Sequence, residues 1–155
     1  MKYLTSILIT AIITIPTNVA AQPKPEDQIK FRQSGMMFMR WNMGIIKKQV
    51  IKNPQSYNKQ RVMDSADAIA AIANSRIDSL FTQESASGKG WKDTLVKPEY
   101  FYNTDKAKQY FNDFKSEANK LSTTARNGNP KQIKAQFAKL LNACKGCHKK
   151  FRNKK

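Results

Sequence analysis

The chain runs to 155 residues, with 28 Lys and Arg against 11 Asp and Glu, one His and two Cys. Its 40% hydrophobic and 25% charged shares are those of a globular domain and exclude collagen-like or low-complexity chains, since enough apolar surface exists to offset chain entropy. Cys144 and Cys147 stand only three apart and staple no distant segments together, so stability must come from packing in a single domain.

Residues 1–21 read as a leader. Met1-Lys2 supplies a positive start, Leu4 to Ile15 an apolar stretch of about a dozen residues, and Val19-Ala20-Ala21 a small-residue cleavage site. A membrane span takes about 20 apolar residues, so the stretch is expected to be cleaved and the mature chain to begin at Gln22. Export of this lysine-rich chain points to a bacterial periplasm, where a free Cys-x-x-Cys pair oxidises unless something captures the thiols. The formal net charge of +17 would suit nucleic acid in another compartment, but the lysines are scattered and not interleaved with aromatics, so no nucleic-acid partner is expected. An acidic protein or an anionic membrane surface fits the compartment better. Lysines that simply solvate helices account for the same charge with no partner.

Four stretches carry helical periodicity, separated by breaks rich in Pro, Gly or Asn. The first, about Pro25 to Lys52, repeats Ile29, Met36, Met43 and Val50 every seven residues with Met39 and Ile46 between them; Pro25 suits its start and Asn53-Pro54 its stop. The second, about Ser56 to Phe81, aligns Val62, Ala66, Ile69, Ala73, Ile77 and Leu80. Residues 82–103 hold Gly88, Gly90 and Pro98 without a sustained period and read as a long connection, either a crossover or the edge of a site. A third helix begins after Asn103 or Thr104 with the stripe Ala107, Phe111, Phe114, Ala118, Leu121 and Ala125. Asn127-Gly128-Asn129-Pro130 ends it and starts the fourth, whose stripe is Ile133, Phe137, Leu140, Cys144, Cys147 and Phe151. Four amphipathic helices, each roughly 30 to 40 Å long, predict an all-α, antiparallel four-helix bundle over residues 22–155.

Cys144-Lys145-Gly146-Cys147-His148 is the Cys-x-x-Cys-His pattern of covalent haem attachment. Two thiols one helical turn apart can add to the two vinyl groups of a single porphyrin, and the following imidazole then faces the iron. A thioredoxin-like pair would need a βαβ context, and a zinc site two further ligands; neither is present. One covalent haem c per chain is expected. His148 is the sole histidine, so a second histidine ligand cannot come from the same chain, and the sixth position falls to a methionine, a lysine, an exogenous ligand or nothing. Met36, Met37, Met39, Met43 and Met63 are the mature methionines, and adaptable core filling is the default reading of each.

Arg32 occupies the inward seam of the first helix, one turn before Met36, where a charge needs a partner. Haem propionates would suit its forked guanidinium, with Gln33 adding a hydrogen bond. A guanidinium that reaches solvent at the end of the bundle is the alternative.

These features together resemble the cytochromes c′, the class II c-type cytochromes. The resemblance covers the mature chain and rests on Pro25-Glu26-Asp27 through Lys30-Phe31-Arg32-Gln33-Ser34, on Lys97-Pro98-Glu99, and on the C-terminal Cys144-Lys145-Gly146-Cys147-His148 with Arg152. It implies that Cys144 and Cys147 form thioethers and that His148 is the proximal iron ligand. It further implies that Arg32 and Gln33 lie at the propionates, that Met36 is the distal residue, and that Arg152 is a basic group on the proximal side. Tyr100-Phe101 departs from the Ile-Trp that many relatives carry after Pro-Glu, which weakens inference about packing there. The family's pattern implies a five-coordinate haem that admits nitric oxide or carbon monoxide, with Met36 as lid; in its low-spin relatives a first-helix methionine is the sixth ligand. A homodimer is a further expectation of the family.

Gas binding and electron carriage are thus the two competing functions. Lys145, Lys149, Lys150, Arg152, Lys154 and Lys155 flank the motif and could steer an acidic redox partner, although a solvated helix end explains them equally. Enzymatic turnover is not expected, because no distal histidine or catalytic pair is recognisable.

Overall fold

The structure is a computed structural model that describes residues 23–154; the expected leader and its cleavage site lie outside the described residues. Among the described residues the long elements are α1 (Pro25–Lys47), α2 (Lys59–Asn74), α4 (Thr104–Asn127) and α5 (Pro130–Phe151), with α3 (Glu99–Tyr102) a single turn before α4. They form the expected four-helix bundle. No described helix is long and apolar enough to cross a membrane.

The apolar stripes read from the sequence are the core. Ile29, Ile46, Val62, Ala66, Ile69, Ala118, Leu121, Ile133, Phe137 and Leu140 are buried, interlocking α2 with α4 and α4 with α5. The small residues Ala66, Ala73, Ala118 and Ala125 allow α2 and α4 to approach closely, and larger ones fill between them. By contrast α1 packs on α2 and meets α5 only sparsely.

Helix boundaries follow local chemistry. Pro25 opens α1, with Glu26 and Asp27 in its first turn where the macrodipole favours anions. The expected first helix keeps α-geometry to Lys47 and continues to Lys52 as a π-turn, closed by the Asn53 amide on the Lys48 carbonyl (2.8 Å). The added residue buries Gln49 alongside Val50, and the Gln49 Oε1 accepts the Asn58 amide at 2.7 Å. α2 is shorter than the periodicity indicated. Asn58 and not Ser56 precedes it, capping the Arg61 amide, and it ends at Asn74 because Arg76 turns left-handed at φ 59°. Ile77 still reaches the core from a following 3₁₀ turn. The α4–α5 corner is as expected: Asn129 and Gln132 cap each other's backbone amides ahead of Pro130.

The connection after α2 is ordered against α1 and not a plain surface loop. Gln28, Arg32, Gln33 and Ser34 of α1 all bond to it. Its far end pairs with the C-terminal residues: Lys97 N–H donates to the Phe151 carbonyl (2.9 Å) and Asn153 N–H to the Leu95 carbonyl (2.8 Å).

Candidate functional site

Cys144, Cys147 and His148 sit in the last two turns of α5, at spacings of three and four that bring them to one side of the helix. Both thiols are free and half-buried, while His148 is exposed. Burial, and then the neighbouring Cys144, pushes the Cys147 thiol up to about 11; burial likewise raises Cys144. Partial desolvation, with the Arg152 cation second, lowers His148 below its ordinary value, so the neutral, metal-competent imidazole prevails at neutral pH. No cluster of three or more His, Cys, Asp or Glu able to hold a bare metal ion exists among the described residues.

The back of the motif is fixed by α4. A side-chain carbon placed on Gly146 would stand 3.0 Å from the Tyr110 ring, so this ring lies directly on the Gly146 backbone. Tyr110 meets Phe151 edge-on at 5.9 Å, Phe151 meets Tyr100 at 5.3 Å, and Tyr100 packs on Phe81 at 5.0 Å. Tyr100 therefore fills the corner that its departure from the family pattern had left open. Its hydroxyl is raised by burial first and then by Cys147 and Asp78, with Arg32 working against them. Sequence periodicity missed Tyr110, which belongs to no apolar stripe, and Phe81, which lies beyond the end of α2.

Met36 is half-buried and packs against the same core as Cys144, Phe111 and Ile72. The other methionines divide as filler and surface: Met39 is buried, Met43 and Met63 half-buried on the core, and Met37 is exposed. Met36 is thus an α1 methionine that lies one turn from Arg32 while sharing the core with Cys144.

Arg32 corrects a detail of the sequence reading. It does not reach solvent but is buried at 3% exposure, as an inward seam position requires. Its two terminal nitrogens donate to the Leu80 carbonyl (3.0 Å), Ser85 Oγ (2.7 Å), the Ser85 carbonyl (2.8 Å) and Thr94 Oγ1 (2.8 Å), so four of its five N–H groups serve the connection. The guanidinium also lies over Phe81, 4.8 Å from the ring centre. Gln33 is similarly engaged, donating to the Lys92 carbonyl at 2.8 Å and accepting from the Trp91 amide at 2.9 Å. Yet no carboxylate pairs with Arg32 among the described residues, and desolvation lowers it to about 10. A buried cation with neutral partners alone marks a place that favours a nearby anionic group. Arg152 is exposed, and its amide bonds to the His148 carbonyl at the helix end.

A four-helix bundle with a Cys-x-x-Cys-His motif on the last turns of its C-terminal helix defines the class of c-type haem bundles. The family model for cytochrome c′ matches residues 27–152, and the chain belongs to that family. It is 44% identical to the cytochrome c′ of Rhodocyclus tenuis over 131 residues, covering 84% of this chain and 97% of the relative. To that of Allochromatium vinosum it is 39% identical over 136 residues, covering 88% and 86%. Among solved structures, the cytochrome c′ of Thermochromatium tepidum superposes with a TM-score of 0.80 at 37% identity, covering 86% of this chain and 100% of its own. Another cytochrome c′, with a TM-score of 0.81 at 39% identity and the same coverage, shows ligand-controlled dimer dissociation. A variant of the Alcaligenes xylosoxidans protein, 25% identical with a TM-score of 0.74 over 84% of this chain and 98% of its own, is solved as a nitric oxide complex. The family is one of haem proteins that bind gases or carry electrons.

Proposed function

We propose that the mature chain is a periplasmic haem c protein whose iron binds nitric oxide or carbon monoxide and can also pass single electrons. The observation that carries this is the placement of Cys144, Cys147 and His148 on one side of α5, with Cys144 packed on the same core as Met36 of α1. The donor set fits the group: two half-buried thiols one turn apart give thioethers, and a neutral imidazole gives a nitrogen ligand. When bound, the haem supplies an iron with one open face and the capacity to hold or release one electron.

The protein's own residues govern access to that face. Met36 acts as an apolar lid, and the aromatic cluster of Phe81, Tyr100 and Phe111 limits water there, which favours small uncharged gases over anions that would lose hydration. Arg32, through its buried charge, favours the haem carboxylates near it. Intact mass and acid-acetone extraction test attachment: haem should stay with the chain, and a mass equal to the bare polypeptide from Gln22 would end the reading. Met36→Ala should accelerate carbon monoxide binding while the resting high-spin spectrum persists. A low-spin spectrum whose methionine-to-iron band vanishes in Met36→Ala would instead make Met36 the sixth ligand and electron transfer the function.

A second copy of the chain is the proposed partner of α1. Phe31, Met37, Phe38 and Trp41 are exposed along it, with Phe38 and Trp41 stacked at 5.7 Å, and the relative with ligand-controlled dimer dissociation supports this use of the surface. Sedimentation of wild type against Trp41→Lys tests it, since the charge should yield monomers.

A further inference from the structure

α5 carries its charge in a way that helix stability does not explain. From Ala118 to the C-terminus there is no Asp or Glu, against eleven Lys and Arg. Lys131, Lys134, Lys145 and Lys149 recur at intervals that keep them on one side of α5, a stripe about 27 Å long at the helical rise, and all four are exposed. None of them is ion-paired among the described residues; on α5 only Lys150 is, with Glu99. Lys131 stands in the first turn, which holds no acid, where the macrodipole penalises a cation. Lys131 with Lys134, and Lys145 with Lys149, are like charges at neighbouring positions that repel. α1 differs at its start, with Glu26 and Asp27 in its first turn, while both helices end on lysines, Lys47 in α1 and Lys149 and Lys150 in α5, where the macrodipole favours them. The stripe ends beside the exposed His148.

We propose that this lysine stripe docks an acidic protein, a one-electron carrier that exchanges with the haem held at Cys144, Cys147 and His148. Docking rests on the stripe, while the exchange rests on the haem assignment above. One electron passes from reduced haem to oxidised partner, which leaves the first oxidised and the second reduced by one; no bond forms or breaks. A line of uncompensated cations steers an acidic surface and fixes its register. An anionic membrane would be met by lysines interspersed with exposed large apolar side chains, but such side chains lie on α1, at Ile51, at Trp91 and at Tyr102, and none lies on α5.

The haem-loaded protein, titrated at low ionic strength with a small acidic blue-copper protein and followed by calorimetry, tests the proposal. The K131Q/K134Q/K145Q/K149Q variant should weaken association about tenfold or more. K47Q/K48Q/K52Q/K59Q, which removes equal charge from exposed positions at the α1–α2 corner, should change it by less than about twofold. Equal weakening by both variants, or no association with the blue-copper protein, would overturn the proposal. So would binding to phosphatidylglycerol vesicles alone that depends on the α5 lysines, which would assign the stripe to a membrane. Because calorimetry does not read haem, a chain whose mass lacks haem but which still docks would discard the haem assignment and the exchange while keeping the surface.

Discussion

The α2–α4–α5 seam and the connection over α1 are held by different physics. The seam is apolar and follows the period of its helices: Leu121, Ile133, Phe137 and Leu140 are buried among alanines that set the helix spacing. Across the bundle, residues 80–97 lack any period and are tied down by one buried arginine, by Gln28, Gln33 and Ser34, and by a run of aromatic contacts. The difference teaches that the scaffold and the rim of the site can fail independently, because burial of apolar area holds one and satisfaction of polar groups holds the other.

The largest expected break is in the seam. Phe137→Ala, at a site 1% exposed, should cost about 3–5 kcal/mol in chemical denaturation. Its effect should be global, lowering protection of every slowly exchanging amide together.

Arg32→Met should come next, at about 2–4 kcal/mol, since it leaves the Leu80 and Ser85 carbonyls, Ser85 Oγ and Thr94 Oγ1 without their donor. Here hydrogen exchange should accelerate over residues 80–94 while the α4–α5 seam stays protected. A uniform loss of protection would merge the two regions and end the comparison.

Gly90→Ala sharpens it further. A side-chain carbon there would lie 2.7 Å from the Lys30 nitrogen and 2.8 Å from Ile29 Cγ2, so the connection must lift off α1. About 1–3 kcal/mol should be lost, again confined to the connection, as a shift of the Trp91 indole signal would report.

The smallest effect is electrostatic. Lys120 above all, and then Gln136, holds the Glu117 carboxyl below 4.5. A carboxylate depressed on folding gives stability that is present above its unfolded pKa and lost as pH falls through the folded value. Glu117→Gln should therefore remove under about 1 kcal/mol at pH 7 and flatten the acid limb of the stability curve below pH 4.5.

Legibility in the sequence divides along the same line. The stripes of α4 and α5 and the corner at Asn127–Pro130 could be read because burial imposes a period and caps demand particular residues. The haem motif could be read because its chemistry fixes three residue types in order. Arg32 was legible as a buried charge but not in its partners, since these include carbonyls of a segment whose path no residue pattern encodes. The early end of α2 escaped notice because Arg76, not glycine, takes the left-handed turn. Tyr110 escaped it because its role is to lie on the Gly146 backbone, a contact between helices that spacing within one helix does not reveal.

The two backbone bonds that join Leu95 and Lys97 to Phe151 and Asn153 close the chain into a ring that contains α3, α4 and α5. A helix at the end of a chain ordinarily frays from its tip, one turn at a time. Here the tip is fastened to the start of the ring, so the turn that bears Cys147 and His148 can open only when the clasp at Leu95–Lys97 is released. Local opening at the haem motif is thereby turned from gradual fraying into a single event shared with the connection.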